Sequence, residues 1–198
     1  MRGTSPTTTQ SSLFVRAFGP GRTGVVCAAQ DDSACLGKMQ IVVGIITISD
    51  RASGGQYQDL GGPAVKAAAE KRGWDVLAEA IIPDDKKRIQ ETVRSFSAQG
   101  CGLILTTGGT GVADRDVTPE AIREIMRVEI PGFGEVMRSE SMKITPNAIL
   151  SRSLAAIVDG SLVIALPGKP SGAVECLGFV EGAIPHSVAL AQHKPTTC

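Results

Sequence analysis

The sequence predicts a three-layer α/β sandwich, in which helices cover both faces of a mostly parallel sheet. Short apolar runs alternate with longer helix-like segments along most of the chain, and this alternation is typical of parallel sheets. The first run, at 39–48, is continuously apolar and rich in β-branched residues, as expected for a strand buried on both faces. Asp159-Gly160 lies between two short apolar runs and is a hairpin signal, which adds an antiparallel pair at one side of the sheet.

In the first half of the domain, turn and cap residues separate the predicted strands from the predicted helices. Gly61-Gly62-Pro63 opens the first long helix and Gly73 closes it. Asp84 follows the second strand and precedes a helix, so an N-cap role competes with a functional one. The predicted elements are strands at 39–48, 74–82 and 102–106, and helices at 61–73 and about 85–99.

In the second half, helices flank the predicted hairpin. Thr118 and Pro119 give an N-cap followed by proline at the first helical position. A proline- and glycine-rich loop at 167–172 precedes the last helix. The predicted elements are helices at 118–128, 131–143, 145–153 and about 173–191, and strands at 155–158 and 161–166.

A glycine-rich loop follows the third strand, within the stretch 103–119 that reads LILTTGGTGVADRDVTP. Glycines at a strand end allow positive φ angles and let a ligand approach the backbone closely. In an open α/β sheet, ligands bind at the carboxyl ends of the strands, where this loop lies. Amide and hydroxyl groups that can surround phosphate oxygens come from Thr106, Thr107, Gly108, Gly109, Thr110 and Gly111.

Two interpretations of this loop compete, because a glycine-containing turn between strand and helix is also common where no phosphate binds. The loop is not a P-loop, since no Gly-Lys-Ser/Thr follows, and it lacks the G-x-G-x-x-G spacing. Asp114, Arg115 and Asp116 stand within five residues of the glycines. Two carboxylates and a guanidinium suit a nucleotide that carries a metal ion, and they favour the phosphate-binding interpretation.

Composition argues against a nucleic-acid or membrane partner. Lysine plus arginine equals aspartate plus glutamate at 20 each, so the formal net charge is zero and no basic excess attracts a polyanion. Aromatic residues make up only 4% of the chain, which leaves few platforms for base stacking. We also expect no apolar run close to the roughly 20 residues of a membrane span.

The five cysteines indicate a reducing compartment with free thiols. They form no C-x-x-C pair and their number is odd, and neither histidine is spaced from a cysteine as in a zinc site. Cys101 and Cys176 lie in apolar stretches and are predicted to be small core residues rather than nucleophiles. These features favour the cytoplasm.

Residues 1–38 differ in composition from the domain predicted at 39–198. They are rich in serine, threonine, glycine and arginine, show no period, and contain no acidic residue before Asp31. A transit peptide to an organelle, a misassigned start with Met39 as the true initiator, and a flexible tail all fit this composition. The segment is predicted to be a disordered extension, with its purpose left open.

The loop sequence TTGGTG, a three-residue gap and RDVTPEA together resemble the signature of the molybdopterin adenylyltransferase family, which is related to the gephyrin G domain. The resemblance covers about 39–191. Further matches, in chain order, are SDRAS at 49–53, YQD at 57–59, IPD at 82–84, PGFG at 131–134, AILSR at 148–152 and LPGKP at 166–170.

The resemblance implies one reaction, in which the terminal phosphate of molybdopterin attacks the α-phosphorus of ATP to give adenylyl-molybdopterin and pyrophosphate. Such chemistry needs positioning, neutralised phosphate charge and a divalent ion, usually Mg²⁺. Asp116 and Asp84 match the family's functional aspartates. The resemblance implies that Asp116 positions metal and phosphate and that Asp84 is a second catalytic carboxylate.

The implied binding residues surround the same strand ends. Arg115 and Lys169 are candidate cations, with plain solvent exposure as the alternative, and Arg152 is similar. Glu175 can contact ligand or favour the helix dipole, and Ser171 can contact ligand or cap the last helix. The full implied set is Ser49, Asp50, Thr107, Gly108, Gly109, Thr110, Gly111, Arg115, Ser151, Pro167, Gly168, Lys169, Pro170, Ser171 and Glu175.

The resemblance also implies a homotrimer and a hand-over of product to a molybdenum-insertion protein. A non-catalytic molybdopterin-binding or scaffold module of the same fold remains the alternative function. The presence of Asp84 and Asp116 and the lack of a second long domain favour the enzyme. Asp114 adds negative charge at a point where the family loop varies, which leaves its role open.

Overall fold

The computed structural model describes residues 40–194, so the predicted disordered extension at 1–38 lies outside the described residues. Six strands form one sheet in the order β2-β1-β3-β6-β5-β4. The first four in this order are parallel, whereas β5 is antiparallel to β6 and β4 is antiparallel to β5. The strands are β1 Val42–Ile48, β2 Asp75–Ile82, β3 Leu103–Thr107, β4 Val128–Glu129, β5 Ala155–Val158 and β6 Ser161–Leu166.

Seven α-helices and two short 3-10 helices lie around the sheet in the described part of the chain. The α-helices are α1 Asp50–Ser53, α2 Gly61–Lys71, α3 Lys86–Ala98, α4 Thr118–Ile125, α5 Pro131–Met142, α6 Pro170–Val180 and α7 Ile184–Ala191. The 3-10 helices are Pro146–Leu150 and Glu181–Ala183.

Alternate residues of the central strands build the cores on the two faces of the sheet. Leu103 and Leu105 pack with α2, α5, α6 and α7 on one face, whereas Ile104 packs with α3 and α4 on the other. The side chains of Leu103, Ile104 and Leu105 are all 0% exposed. Burying one such side chain stabilises the fold by about 1.5–3 kcal/mol. The three-layer sandwich with an antiparallel side is therefore confirmed.

The predicted helix at 118–128 is wrong at its end. It stops at Ile125, and Val128–Glu129 instead forms the edge strand β4 against β5. Amides on both sides of β4 donate to β5, Arg127 to the Ile157 carbonyl at 2.8 Å and Ile130 to the Ala155 carbonyl at 2.8 Å. Pairing with a distant strand decides where the helix ends, and the local sequence does not carry this information.

Two predicted caps are also wrong. Thr118 is the first residue of α4 rather than its N-cap, and its hydroxyl donates to the Gly108 carbonyl at 3.0 Å. Asp84 does not cap α3, because the N-cap is Asp85, whose carboxylate accepts from the Arg88 amide at 2.9 Å. Asp84 is thereby left without the structural role that competed with a functional one.

The predicted last helix is two helices, α6 and α7, divided at Glu181–Ala183, and the predicted helix at 145–153 is a 3-10 helix.

The expectation that no apolar run is long enough for a membrane span is wrong. The segment Pro170–Ala191 has 22 residues and suffices for such a span by length and composition. Its side chains are used in the domain, however: Leu177 and Ile184 are 0% exposed within the core. Core packing therefore explains the apolar composition.

Candidate active site

The carboxyl ends of the parallel strands bring the predicted site residues together. Thr107 in β3 is paired with Thr47 in β1 on one side and with Leu166 in β6 on the other. The three loops that follow these strands therefore leave one edge of the sheet side by side. Asp84, just beyond the end of β2, reaches the same edge.

The glycine-rich loop needs glycine at its first two positions. Gly108 has a φ of +106°, and a Cβ atom there would lie 2.2 Å from the Ile48 carbonyl oxygen. Gly109 has a φ of +62°, and its Cβ would lie 2.4 Å from the Thr118 hydroxyl and 2.9 Å from Asp84. The glycines thus let β1, β3 and α4 meet, which is a packing role.

The same loop also offers groups for a ligand. Among residues 40–194, the amides of Gly109, Thr110 and Gly111 have no protein hydrogen-bond acceptor. Backbone amides of this kind, aligned at a strand end, suit phosphate oxygens. Both interpretations of the loop from the sequence are therefore compatible with its geometry.

Asp50 and Asp84 bind each other's backbone across the site. The Asp50 amide donates to Asp84 Oδ2 at 2.9 Å, and the Asp84 amide donates to Asp50 Oδ1 at 3.1 Å. Arg115 donates to Asp50 through Nε at 2.9 Å and through Nη2 at 2.9 Å. Arg115 thus forms a two-pronged ion pair across the mouth of the site, although its side chain is 68% exposed.

The pKa of Asp84 is raised above its ordinary value, first by burial and then by the negative charges of Asp50 and Asp116. A hydrogen bond from the Asp50 backbone and the charge of Arg115 oppose this shift. Asp116 has a different environment, in which Oδ2 accepts from the Ala113 amide at 2.8 Å and closes the turn at 113–116.

These carboxylates line a cavity of about 520 Å³, which we call the acidic cavity. Its wall also includes Arg115 and the start of the glycine-rich loop. The predicted residues that line it are Ser49, Asp50, Asp84, Thr107, Gly108, Gly109, Arg115, Asp116 and Gly168. Nine predicted residues from four separate loops therefore face one space.

A second cavity of about 590 Å³, which we call the apolar cavity, adjoins the acidic one at Gly168. Val112, Met137, Ile144 and Leu150 give it an apolar lining. The predicted residues that line it are Thr110, Gly111, Ser151, Pro167, Gly168, Lys169, Ser171 and Glu175. The two cavities thus lie on either side of the glycine-rich loop and the 167–169 loop.

The structure settles the positions of four residues that the sequence singled out. Pro170 lines neither cavity and begins α6, and the N-cap of this helix is Lys169, so Ser171 does not cap it. Arg152 is not free for a ligand, because its guanidinium is bound to protein oxygens. Asp114 is exposed and lines neither cavity.

Sequence reasoning missed residues in both cavities. Asp59 lines the acidic cavity, where it accepts from the Thr47 hydroxyl at 2.7 Å and from the Gly61 amide at 2.8 Å, so it fixes the start of α2. The sequence match at 57–59 includes Asp59, but no site role was predicted for this residue. Arg138 in α5 and Asn147 in the first 3-10 helix line the apolar cavity. Neither belongs to a polar motif in the sequence, so no local signal marked them.

The acidic cavity fits a magnesium ion that is shared with phosphate. No group of three histidine, cysteine, aspartate or glutamate side chains suited to hold a metal occurs within residues 40–194. Magnesium in nucleotide sites, however, uses only one or two carboxylates and completes its shell with phosphate oxygens and water. The carboxylates of Asp50, Asp84 and Asp116 line this cavity together, so they concentrate negative charge in it.

Comparison with known proteins identifies the family of the domain. The family model described as "Probable molybdopterin binding domain" matches residues 44–186. The chain belongs to the molybdopterin-binding domain family. Relatives named molybdopterin adenylyltransferase are 43% identical over 153 residues in Helicobacter pylori and 46% identical over 142 residues in Haemophilus influenzae, covering 87% and 72% of those proteins and 76% and 70% of this chain.

Solved structures of this family share the fold. The molybdopterin biosynthesis enzyme MoaB from Thermus thermophilus is 39% identical, with a TM-score of 0.74 over 80% of this chain and 100% of that one. The tungsten cofactor synthesizing protein MoaB from Pyrococcus furiosus is 30% identical, with a TM-score of 0.72 over 78% of this chain and 98% of that one. A gephyrin from Dictyostelium discoideum is 38% identical, and the match covers 78% of this chain and 23% of that protein.

Proposed function

We propose that this member of the molybdopterin-binding domain family is a molybdopterin adenylyltransferase. An oxygen of the terminal phosphate of molybdopterin attacks the α-phosphorus of ATP and forms the new phosphoanhydride bond. The bond from the α-phosphorus to its β-bridging oxygen breaks, and pyrophosphate leaves with the electron pair. The observation that carries the proposal is the glycine-rich loop between a carboxylate-lined cavity and an apolar one.

The chemistry of the two linings assigns the substrates. The triphosphate of ATP lies in the acidic cavity, beside the amide of Gly109 and the guanidinium of Arg115. The amides of Thr110 and Gly111 lie on the side of the loop that lines the apolar cavity. The apolar cavity suits a flat heterocycle, because Met137 and Leu150 cover ring faces while Asn147 and Glu175 offer hydrogen bonds to a ring edge. The phosphate of molybdopterin then meets ATP near Gly168, where the cavities join.

Charge neutralisation is shared among groups at this junction. Asp84 and Asp116 would hold Mg²⁺, which when bound neutralises phosphate charge and polarises the phosphorus centre. Arg115 exchanges Asp50 for phosphate oxygens as ATP enters. Lys169 is exposed and lines the apolar cavity beside Gly168, so it is the cation that we assign to the incoming molybdopterin phosphate.

The decisive experiment measures pyrophosphate release by the purified protein with molybdopterin, ATP and Mg²⁺. Release is expected only when all three are present, and chelation of Mg²⁺ should abolish it. Molybdopterin binding without any pyrophosphate release would instead identify a non-catalytic binding module. Isothermal titration with molybdopterin alone separates this outcome from loss of binding.

We further propose that the enzyme acts as a homotrimer in the cytoplasm and passes adenylyl-molybdopterin to a molybdenum-insertion protein. The buried free thiols of Cys101 and Cys176 support a reducing compartment such as the cytoplasm. Sedimentation equilibrium should give three times the chain mass of 20.5 kDa. A monomer at micromolar concentration would contradict the trimer.

A further inference from the structure

Arg152 holds both ends of the loop that carries Asp116. At the start of the loop, the Arg152 amide donates to the Thr110 carbonyl at 2.9 Å and Nε donates to the Gly111 carbonyl at 2.6 Å. At the end of the loop, Nη2 donates to the Asp116 carbonyl. One side chain therefore bridges the two points between which the chain turns.

The loop is closed from inside by the aspartate itself. Asp116 Oδ2 accepts from the Ala113 amide at 2.8 Å, and the Asp116 amide donates to the Ala113 carbonyl at 2.9 Å. A Cβ atom at Gly111 would lie 2.7 Å from Asp116 Oδ2, so the carboxylate rests directly on the loop backbone. Any shift of the loop therefore moves the carboxylate.

Arg152 does not line the acidic cavity or the apolar cavity. It lies in a third cavity of about 270 Å³, on the side of the loop toward Arg123 and Glu129. Its remaining nitrogen, Nη1, is paired with Glu120 of α4. The guanidinium is thus committed to protein oxygens and is not part of the wall of the acidic cavity.

We propose that Arg152 is a positioning residue, which fixes the loop at 110–116 so that the Asp116 carboxylate faces the acidic cavity at the distance the reaction needs. The proposal rests on the adenylyl-transfer function proposed above. Arg152 does not contact substrate and acts only through Asp116.

The planar guanidinium is essential to this role. Its nitrogens reach three acceptors in fixed directions, the carbonyls of Gly111 and Asp116 and the carboxylate of Glu120. A lysine ammonium at the same position keeps the positive charge beside Glu120 but cannot hold the three oxygens in one plane. Arg152→Lys therefore separates geometry from charge.

Arg123 gives a matched control. It is also an arginine of the third cavity and forms a two-pronged ion pair with Glu129, at 3.1 Å through both Nε and Nη2, without contact to the loop. Arg123→Lys should therefore leave kcat, loop exchange and Mg²⁺ affinity unchanged. Differences between the two variants then report on the loop rather than on loss of a guanidinium from the surface.

The test compares wild type, Arg152→Lys and Arg123→Lys. Arg152→Lys should lower kcat by about 10–100-fold, the usual effect of removing a group that orients a metal ligand, while the KM for molybdopterin changes little. Calorimetric titration of Mg²⁺ with a non-hydrolysable ATP analogue should show weaker binding. Hydrogen–deuterium exchange should rise across 108–118. Arg152→Gln, which keeps one amide donor without charge, serves as the second variant if the lysine variant does not fold.

Unchanged exchange at 108–118 together with unchanged kcat in a folded Arg152 variant would overturn the proposal. Loss of thermal stability with a wild-type kcat would do the same, since it would show a role in folding alone. Failure of the proposed function is distinguishable, because wild type itself would then release no pyrophosphate. Exchange and Mg²⁺ titration still decide the positioning role in that case.

Discussion

At the scale of single residues, the acidic cavity sets stability against function. Asp84 is half-buried beside two further carboxylates, and its pKa is raised above the ordinary 3.8, mainly by burial. Its ionised form is therefore less favourable in the folded chain than in the unfolded one. The stability that this group contributes is fully present below about pH 3.8 and is lost as pH rises through its folded pKa.

Asp84→Asn should for this reason raise the melting temperature at pH 7. The asparagine side chain carries no charge, and its oxygen can still accept from the backbone amide of Asp50. In the wild type this amide donates to Asp84 Oδ2 at 2.9 Å. The gain over wild type should shrink as pH falls and vanish below about pH 3.8, where wild-type Asp84 is neutral as well. Differential scanning calorimetry between pH 3 and pH 8 measures the effect. A lower melting temperature for the variant at pH 7 would contradict it.

The neighbouring aspartates Asp84 and Asp85 separate catalysis from capping. Asp85 caps α3, so Asp85→Ala should lower the free energy of unfolding by about 1 kcal/mol and leave turnover intact. Asp84→Ser should fold but turn over slowly, because it removes a carboxylate from the acidic cavity. Denaturant unfolding and pyrophosphate release measure the two effects. A fully active Asp84→Ser enzyme would remove Asp84 from the catalytic assignment.

Asp116 is expected to matter more for turnover than for binding. Asp116→Asn keeps an oxygen for the Ala113 amide and so keeps the turn, but it removes the charge. Its turnover should fall by about 10²–10³-fold, the usual loss for one electrostatic contact at a reaction centre. Asp116→Ala loses the turn as well and should be at least as slow. Steady-state kinetics and molybdopterin titration give the result. Retained turnover in both variants would contradict the assignment of Asp116 as a metal ligand.

At the scale of elements, the glycine-rich loop couples the sheet to α4. A side chain at Gly108 would strike the Ile48 carbonyl oxygen at 2.2 Å, and the φ of +106° is strained for any other residue. The Thr118 hydroxyl, which sequence alone assigned to a cap, instead binds the Gly108 carbonyl. The loop therefore holds α4 directly against the end of β3.

Gly108→Ala should lower the free energy of unfolding by at least about 1–3 kcal/mol from backbone strain alone, and activity should fall with it. Gly132→Ala is the matched control, since an added Cβ there meets no atom within 4 Å and lies in α5. It should be neutral or stabilising by up to about 1 kcal/mol. Chemical denaturation of both variants tests the pair, and an equally stable Gly108→Ala would refute the close approach.

At the scale of the whole molecule, the family match at 44–186 and both cavities lie within residues 40–194. A chain that starts at Met39 should therefore keep the melting temperature and the rate of pyrophosphate release. Calorimetry and kinetics on full-length and shortened protein provide the comparison. A large loss of either would show that residues 1–38 contribute to the fold or the site.

Sequence patterns were sufficient where the signal is local. The alternation of strands and helices, the hairpin at Asp159-Gly160 and the burial of Cys101 and Cys176 are all confirmed. Each follows from neighbours along the chain, through periodicity or turn preference. The glycines and aspartates predicted for the site lie around one cavity, because strand ends in an open parallel sheet meet at one edge.

Only the tertiary structure decided the features that depend on distant partners. The edge strand β4 exists because β5 offers it hydrogen bonds. Asp84 accepts from the distant Asp50 amide, while its neighbour Asp85 caps α3. The sequence by itself determined the layers, the strand ends and the residues gathered there. Long-range contacts determined which of those residues face a cavity, as Asp116 does, and which hold the loop from its other side, as Arg152 does. The reason is that the spacing of residues along the chain does not show the direction in which a side chain points.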